Sequence, residues 1–182
     1  MGRTGHRLTG IAAGCLAAAI LYPLLRDMSL AAIPAGFTGG TAPDWLEIAH
    51  AEFSPQQQRW VRQSVIPHRT ITHWWPLWLA LLVGVMVWPV HAWIIAPGLF
   101  NGHSLFTLNL APILHAVVAG FTAGGIMHLI MDVPNPSGIP ILTPMARSRW
   151  SLHWWRSGNA QEPLAALGMA VLAAATLWLA IH

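Results

Sequence analysis

Residues 105–132 read LFTLNLAPILHAVVAGFTAGGIMHLIMD. Up to Met131 the run carries no formal charge, and only His115, His128 and an asparagine interrupt its apolar character. A helix that crosses a bilayer needs roughly 20 such residues, so this stretch reads as a membrane helix. Its end is polar. His128 and Asp132 stand four apart and share one helix face. An imidazole and a carboxylate at that spacing suit a single metal ion, or a carboxylate that orients a metal-bound histidine. A buried hydrogen-bonded pair at a helix end is the plainer alternative.

Working outward, Leu8–Leu25, Met28–Ala42, Trp74–Phe100 and Pro163–Ile181 are also apolar. With 55% hydrophobic and only 8% charged residues, the chain lacks the polar surface of a water-soluble fold. Its 182 residues are one domain, 1–182. Met28–Ala42 is short and broken by Pro34, Gly36, Gly39 and Gly40, which makes it a kinked or re-entrant span. Gly10 with Gly14, and Gly120 with Gly124, have the spacing that lets helix backbones approach in lipid. Trp74, Trp75 and Trp78 lie at one end of the third run and Trp88 and Trp93 towards the other, about 28 Å apart along a helix, the separation of two aromatic belts. Within the polar connection 44–71 a short helix containing Pro55–Arg62 is expected, and Arg147–Arg156 reads as interfacial and amphipathic. Cys15 is a small buried hydrophobe. Arg3 and Arg7 introduce an uncleaved helix rather than a signal peptide. The expected fold is an all-α integral membrane protein with about five transmembrane or membrane-embedded helices.

Every basic residue is an arginine. Five spans place Arg3, Arg7, Arg59, Arg62, Arg69, Arg147, Arg149 and Arg156 on one side and Arg26 alone on the other. The positive-inside rule puts the rich side, with the N-terminus, in the cytoplasm. The arginines form no clustered block, so no nucleic-acid partner is expected.

That topology has a chemical consequence. His6, Asp44, Glu47, His68, His73, His128, Asp132 and Glu162 all fall at the cytoplasmic membrane edge, although they are scattered along the chain. Nitrogen and oxygen donors without thiolate suit a catalytic Zn, Mn or Fe centre rather than a closed structural one. The number of donors is enough for one or two ions, and two ions can clamp a phosphoester while activating water. Arg69 has the forked geometry to hold an anion. Asp132 or Glu47 is the candidate base. Two bland readings stand beside these. Asp44 and Glu47 are spaced almost as a capping box, and Thr72 is placed to cap the third span. His115 lies about 20 Å from His128 along the helix and suits a hydrogen bond between helices. His91, His103 and His182 fall on the other side, while His50 and His153 are weak candidates.

Taken together, Thr4-Gly-His6, Pro43-Asp44-x-x-Glu47, His68-Arg69-x-x-Thr72-His73, Gly125-x-x-His128-x-x-x-Asp132, Gly138-Ile-Pro-Ile-Leu-Thr-Pro144 and Gly158-Asn159-x-x-Glu162 resemble the LexA-binding, inner-membrane-associated hydrolase family, also described as membrane-bound metal-dependent hydrolases. The motifs occur in the family's order and cover most of the chain. The chain departs at Leu46, where the family often has a second Asp, and at Trp74, where it often has Ser. The resemblance implies a multi-span fold in the bacterial inner membrane and metal-dependent hydrolysis, with His6, Asp44, His68, His73, His128 and Asp132 as ligands or catalytic groups. A distant similarity to zinc-dependent phospholipase C and single-strand nucleases points to phosphoesters. The expected activity is hydrolysis of an ester or phosphoester of an amphiphilic, lipid-like substrate by metal-activated water. The competing expectation is a non-catalytic metal-binding or regulatory membrane protein.

Overall fold

The computed structural model describes residues 2–95, 110–146 and 148–182, the side chains of 88–95 and 110–111 excepted. Six helices carry the fold: α1 (Arg3–Leu25), α2 (Ala32–Gly39), α3 (Ala42–Trp45), α4 (Trp75–Ile95), α5 (Leu110–Asp132) and α6 (Gln161–Ile181). Three helical stretches are long and apolar enough to cross a membrane, within residues 3–39, 112–132 and 161–181.

The first stretch is not one rod. Pro23 sits in the last turn of α1, and Arg26 takes a left-handed φ of 50°. A 3-10 segment, Arg26–Ala31, then leads into α2. The chain has doubled back: a side chain on Gly14 would strike Ala32 and Ile33, one on Gly36 would strike Gly10 and Gly14, and one on Gly40 would strike His6 and Gly10. The 3-10 segment and α2 therefore return the chain to the end where α1 began. At eight residues α2 alone is about 12 Å long, too short to span. The expectation of about five transmembrane or membrane-embedded helices is thus supported for three among the described residues.

α2 lies between α1 and α5. Gly39 meets the backbone of Phe121, Gly120 meets Ala32, and Gly124 meets Gly36 and Gly40. Both glycine pairs read from the sequence are therefore contact faces, and α2 is the partner of each. Small residues fill this interior, with Ala17, Ala18, Ala32, Ala116 and Ala119 packed around Leu21 and Leu25. Large apolar side chains point outward instead, among them Leu16, Ile20, Leu79, Val83, Leu114, Leu164, Leu172 and Leu179. Tails of lipid are as apolar as leucine, so nothing drives these side chains inward, while small residues gain close backbone contact. α4 packs on α5, and α6 packs on α1.

Several local expectations change. Residues 55–62 do not form a helix: β1 (Ala49–Ser54) and β2 (Arg59–Ser64) make an antiparallel hairpin around a turn at Pro55–Gln58, in register Phe53↔Trp60 and Ala51↔Arg62. Cross-strand packing of Phe53 on Trp60, ring centroids 5.7 Å apart, outweighs the local helical tendency. Residues 149–156 are not helical; Arg149–Trp150 is a strand, β4, paired with β3 (Ile139–Pro140). Trp78 is core rather than belt. It is 2% exposed, covers Gly125 and donates from its indole to the Thr72 carbonyl at 2.7 Å. The side chains of Trp88, Trp93 and His91, and residues Phe100, His103, Leu105 and Arg147, lie outside the described set.

The glycine contacts make a testable contrast. Gly36→Ala should lower the thermal midpoint in detergent by the equivalent of about 1–3 kcal/mol of overpacking. Gly168→Ala on α6, where the added methyl meets nothing within 4 Å, should be neutral or stabilising by up to about 1 kcal/mol. Thermal unfolding of the two variants beside the unsubstituted protein decides it.

Candidate metal centre

At the end where α1 begins and α5 ends, five chain segments bring their polar residues together. His6 comes from the first turns of α1, Asp44 from α3, and Glu47 from the link that follows. His68 and Arg69 precede a 3-10 turn, Ile71–His73, that carries His73. His128 and Asp132 close α5. His6, Glu47, His73, His128 and Asp132 are each at most 2% exposed, whereas Asp44 is half-buried and His68 is open.

The centre is four atoms. His73 Nε2 and His128 Nε2 stand 3.3 Å apart. Asp44 Oδ1 is 3.5 Å from the first and 3.8 Å from the second. Asp132 Oδ2 is 3.9 Å and 3.6 Å from the same two nitrogens. Donors about 2.0–2.1 Å from one tetrahedral zinc are about 3.4 Å from each other. The two nitrogens with either carboxylate oxygen make a triangle 3.3–3.9 Å on a side, close to one face of such a tetrahedron. Donors gathered this closely suit a shared cation, beside the contacts that Asp132 makes with Arg69 and Asp44 with His73.

Outer contacts fix which atoms face inward. His128 Nδ1 lies 2.8 Å from the Gly40 carbonyl, a bond it makes only as a donor, so Nε2 keeps its lone pair. His73 Nδ1 backs onto Glu47 Oε1 at 3.4 Å and the Thr72 hydroxyl at 3.1 Å. Oriented imidazoles of this kind accompany metal ligation. The His6 ring stacks on His128 with centroids 3.7 Å apart, and its Nε2 lies 3.4 Å from Asp132 Oδ1. Its Nδ1 is buried with no hydrogen-bond partner, a ligand-competent nitrogen left unused. Burial alone would raise the Asp44 carboxyl. The His73 hydrogen bond and the electrostatic pull of the surrounding imidazoles outweigh that and hold it below the usual carboxylate range, so Asp44 is anionic at neutral pH.

Glu47 and His68 form a second layer. His68 Nδ1 donates to both Glu47 oxygens, at 2.7 and 2.9 Å, and the Arg69 amide donates to Oε1 at 3.2 Å. Asp44, Glu47, His68 and His73 also form a donor group of their own, beside the group His73, His128 and Asp132. Glu47 is thus engaged with residues 21 and 22 positions away rather than closing a capping box. Thr72 does not cap α4; its hydroxyl turns to His73. Backbone strain flanks this layer. Ile48 (φ 53°) and Arg69 (φ 58°) are left-handed, which is costly for residues with a Cβ. The bends turn Glu47 and His68 towards each other.

Two expected residues have other work. The Arg69 guanidinium pairs with Asp132 Oδ2 at 3.1 Å and donates to the Gly138 carbonyl at 2.5 Å, so it is engaged within the protein rather than held out to an anion. Glu162 does not join the donor groups. Its carboxylate accepts from the Gly2 amide at 2.6 Å and the Gly158 amide at 3.0 Å, tying the start of α1 to the start of α6. Sequence reading missed Gly40 and Gly138, whose backbone carbonyls leave no side-chain signal, and Arg62, which sits 3.6 Å from Glu47 Oε2. His115 lines an apolar cleft with Ala80, Gly84 and Val118, and His50 and His153 are exposed.

Fold and site together define a helical membrane protein with a buried histidine–carboxylate cluster at one end of its bundle. The chain belongs to the YdjM inner membrane protein family, whose sequence profile matches residues 1–182. No curated protein and no solved structure matches it. The match supports the inner-membrane part of the resemblance drawn from the motifs.

Elemental analysis of the purified protein tests the division of roles. His73→Ala and His128→Ala should each abolish stoichiometric zinc, and Glu47→Gln should weaken it about 10–100-fold. Glu162→Ala should keep the stoichiometry and lower the thermal midpoint, because two amides lose their acceptor at about 1–3 kcal/mol each.

Proposed function

We propose that this protein is a metal-dependent hydrolase of the inner membrane that cleaves an ester or phosphoester of an amphiphilic substrate. The observation that carries the reading is the pair His73 Nε2 and His128 Nε2, 3.3 Å apart, with Asp44 Oδ1 and Asp132 Oδ2 each 3.5–3.9 Å from both nitrogens. His6 is a fifth candidate ligand through its unused nitrogen. The donors are hard to borderline, which favours zinc, with manganese or iron as substitutes. Glu47 with His68 offers room for a second ion.

A divalent ion bound there supplies Lewis acidity and acidifies water at neutral pH. The remaining work falls to the chain. Asp44 and His68 are the exposed members, so substrate approaches on their side. His68, steadied by Glu47 through Nδ1, has Nε2 3.4 Å from Arg69 Nε, and takes a proton there and passes it to solvent as that long contact opens. Arg69 holds Asp132 in place, its guanidinium engaged by that carboxylate and by the Gly138 carbonyl. Burial of the other donors excludes bulk water and strengthens each electrostatic contact. In the membrane the chain makes five passes, with the 3-10 segment and α2 as the short second one. The N-terminus and the site lie on the arginine-rich cytoplasmic side.

Zinc-reconstituted protein should hydrolyse members of a panel of soluble and lipid phosphoesters. A His73→Ala/His128→Ala double variant should fall to background. His68→Gln should lose about 10²-fold or more in kcat while retaining its zinc. Stoichiometric metal with no turnover of any ester would instead identify a non-catalytic metal-binding protein.

A further inference from the structure

An apolar cleft of about 300 Å³ opens between α4 and α5, walled by Trp75, Leu79, Ile130, Val133, Ile139 and Trp150. Three of its lining residues lie next to residues of the histidine–carboxylate cluster along the chain. Val133 adjoins Asp132, and Trp75 comes two residues after His73. Ile139 adjoins Gly138, whose carbonyl receives the Arg69 guanidinium. Arg69 in turn pairs with Asp132, so a single side chain links the centre to the cleft wall. The upper end is fixed by the Trp75 indole, which donates to the Ile141 carbonyl at 3.1 Å, and by the pairing of Ile139 with Trp150. From Val133 the cleft descends α5 to Ile126, about 10 Å into the bundle's apolar depth. Leu79, Ile130, Trp75 and Trp150 are exposed along its rim, so it opens sideways to the bilayer.

We infer that this cleft seats one hydrocarbon chain of the substrate, which enters from the bilayer with its polar head carried to the Asp44–His68 opening. The inference rests on the hydrolase reading and names the substrate class as a membrane lipid ester or phosphoester. Three features argue for a chain rather than another helix. The cleft starts at the level of the centre, its walls are apolar side chains, and its length is a few turns at most. A chain that comes from the bilayer gains little from transfer itself, because lipid is as apolar as the cleft, so selection rests on how well the chain fits between the walls.

The test is native mass spectrometry of the full-length, zinc-loaded protein released from detergent in the presence of dodecyl phosphate. The unsubstituted protein should retain one dodecyl phosphate. Leu79→Trp and Ile130→Trp, which fill the cleft from its rim, should each lower that occupancy about tenfold or more. Leu172→Trp, equally lipid-facing on α6, should leave it unchanged. Equal occupancy in all four proteins, or equal loss in Leu172→Trp, overturns the inference. Hydrolysis of bis(4-nitrophenyl) phosphate, a soluble ester without a chain, is followed alongside and should stay within about twofold in the cleft variants. If no protein cleaves it while the occupancy pattern holds, the hydrolase reading fails and the chain seat stands. If filling the cleft abolishes soluble-ester cleavage, the cleft supports the site itself, and the inference is overturned.

Discussion

Everything at the histidine–carboxylate cluster depends on how closely three backbones approach. α2 is wedged between α1 and α5, with Gly36 and Gly40 facing Gly10 and Gly14 on one side and Gly124 on the other. At that separation the Gly40 carbonyl reaches His128 Nδ1 and commits the imidazole's second nitrogen to the centre. A single methyl group in the wedge would push α5 away and break that bond. Packing and chemistry are therefore one constraint: the glycines that allow contact in lipid also decide the tautomer of His128.

The bundle inverts the usual distribution of polarity. Alanine and glycine fill the inside, leucine and isoleucine cover the outside, and the buried charges collect at one end. Burying carboxylates and imidazoles together is costly unless they are paired or share a cation. Here the pairs are explicit: Arg69 on Asp132, His68 on Glu47, and Gly40 on His128. What the pairs leave over is a set of inward lone pairs, and a cation is what such a set accommodates.

Much of this was legible in the sequence because bilayers enforce simple rules. Apolar length gave the long helices, and the spacing of Gly10 with Gly14 and of Gly120 with Gly124 gave two contact faces. Arginine asymmetry predicted one gathering of His6, Asp44, Glu47, His68, His73, His128, Asp132 and Glu162. Three things were hidden for physical reasons. The hairpin at residues 49–64 is set by cross-strand partners such as Phe53 and Trp60, which no local window registers. Short α2 gains its stability from neighbours on both sides rather than from its own length. Glu162 carries the residue type of a ligand, yet its carboxylate is spent on two amides, a choice visible only when α1 and α6 lie side by side.

That last contact joins residues 160 positions apart. Glu162 holds the Gly2 amide at the start of α1, a turn before His6, whose ring rests on His128. The cluster is therefore braced from outside its own donors, and a loosened clamp between α1 and α6 would reach it through the first turn of α1.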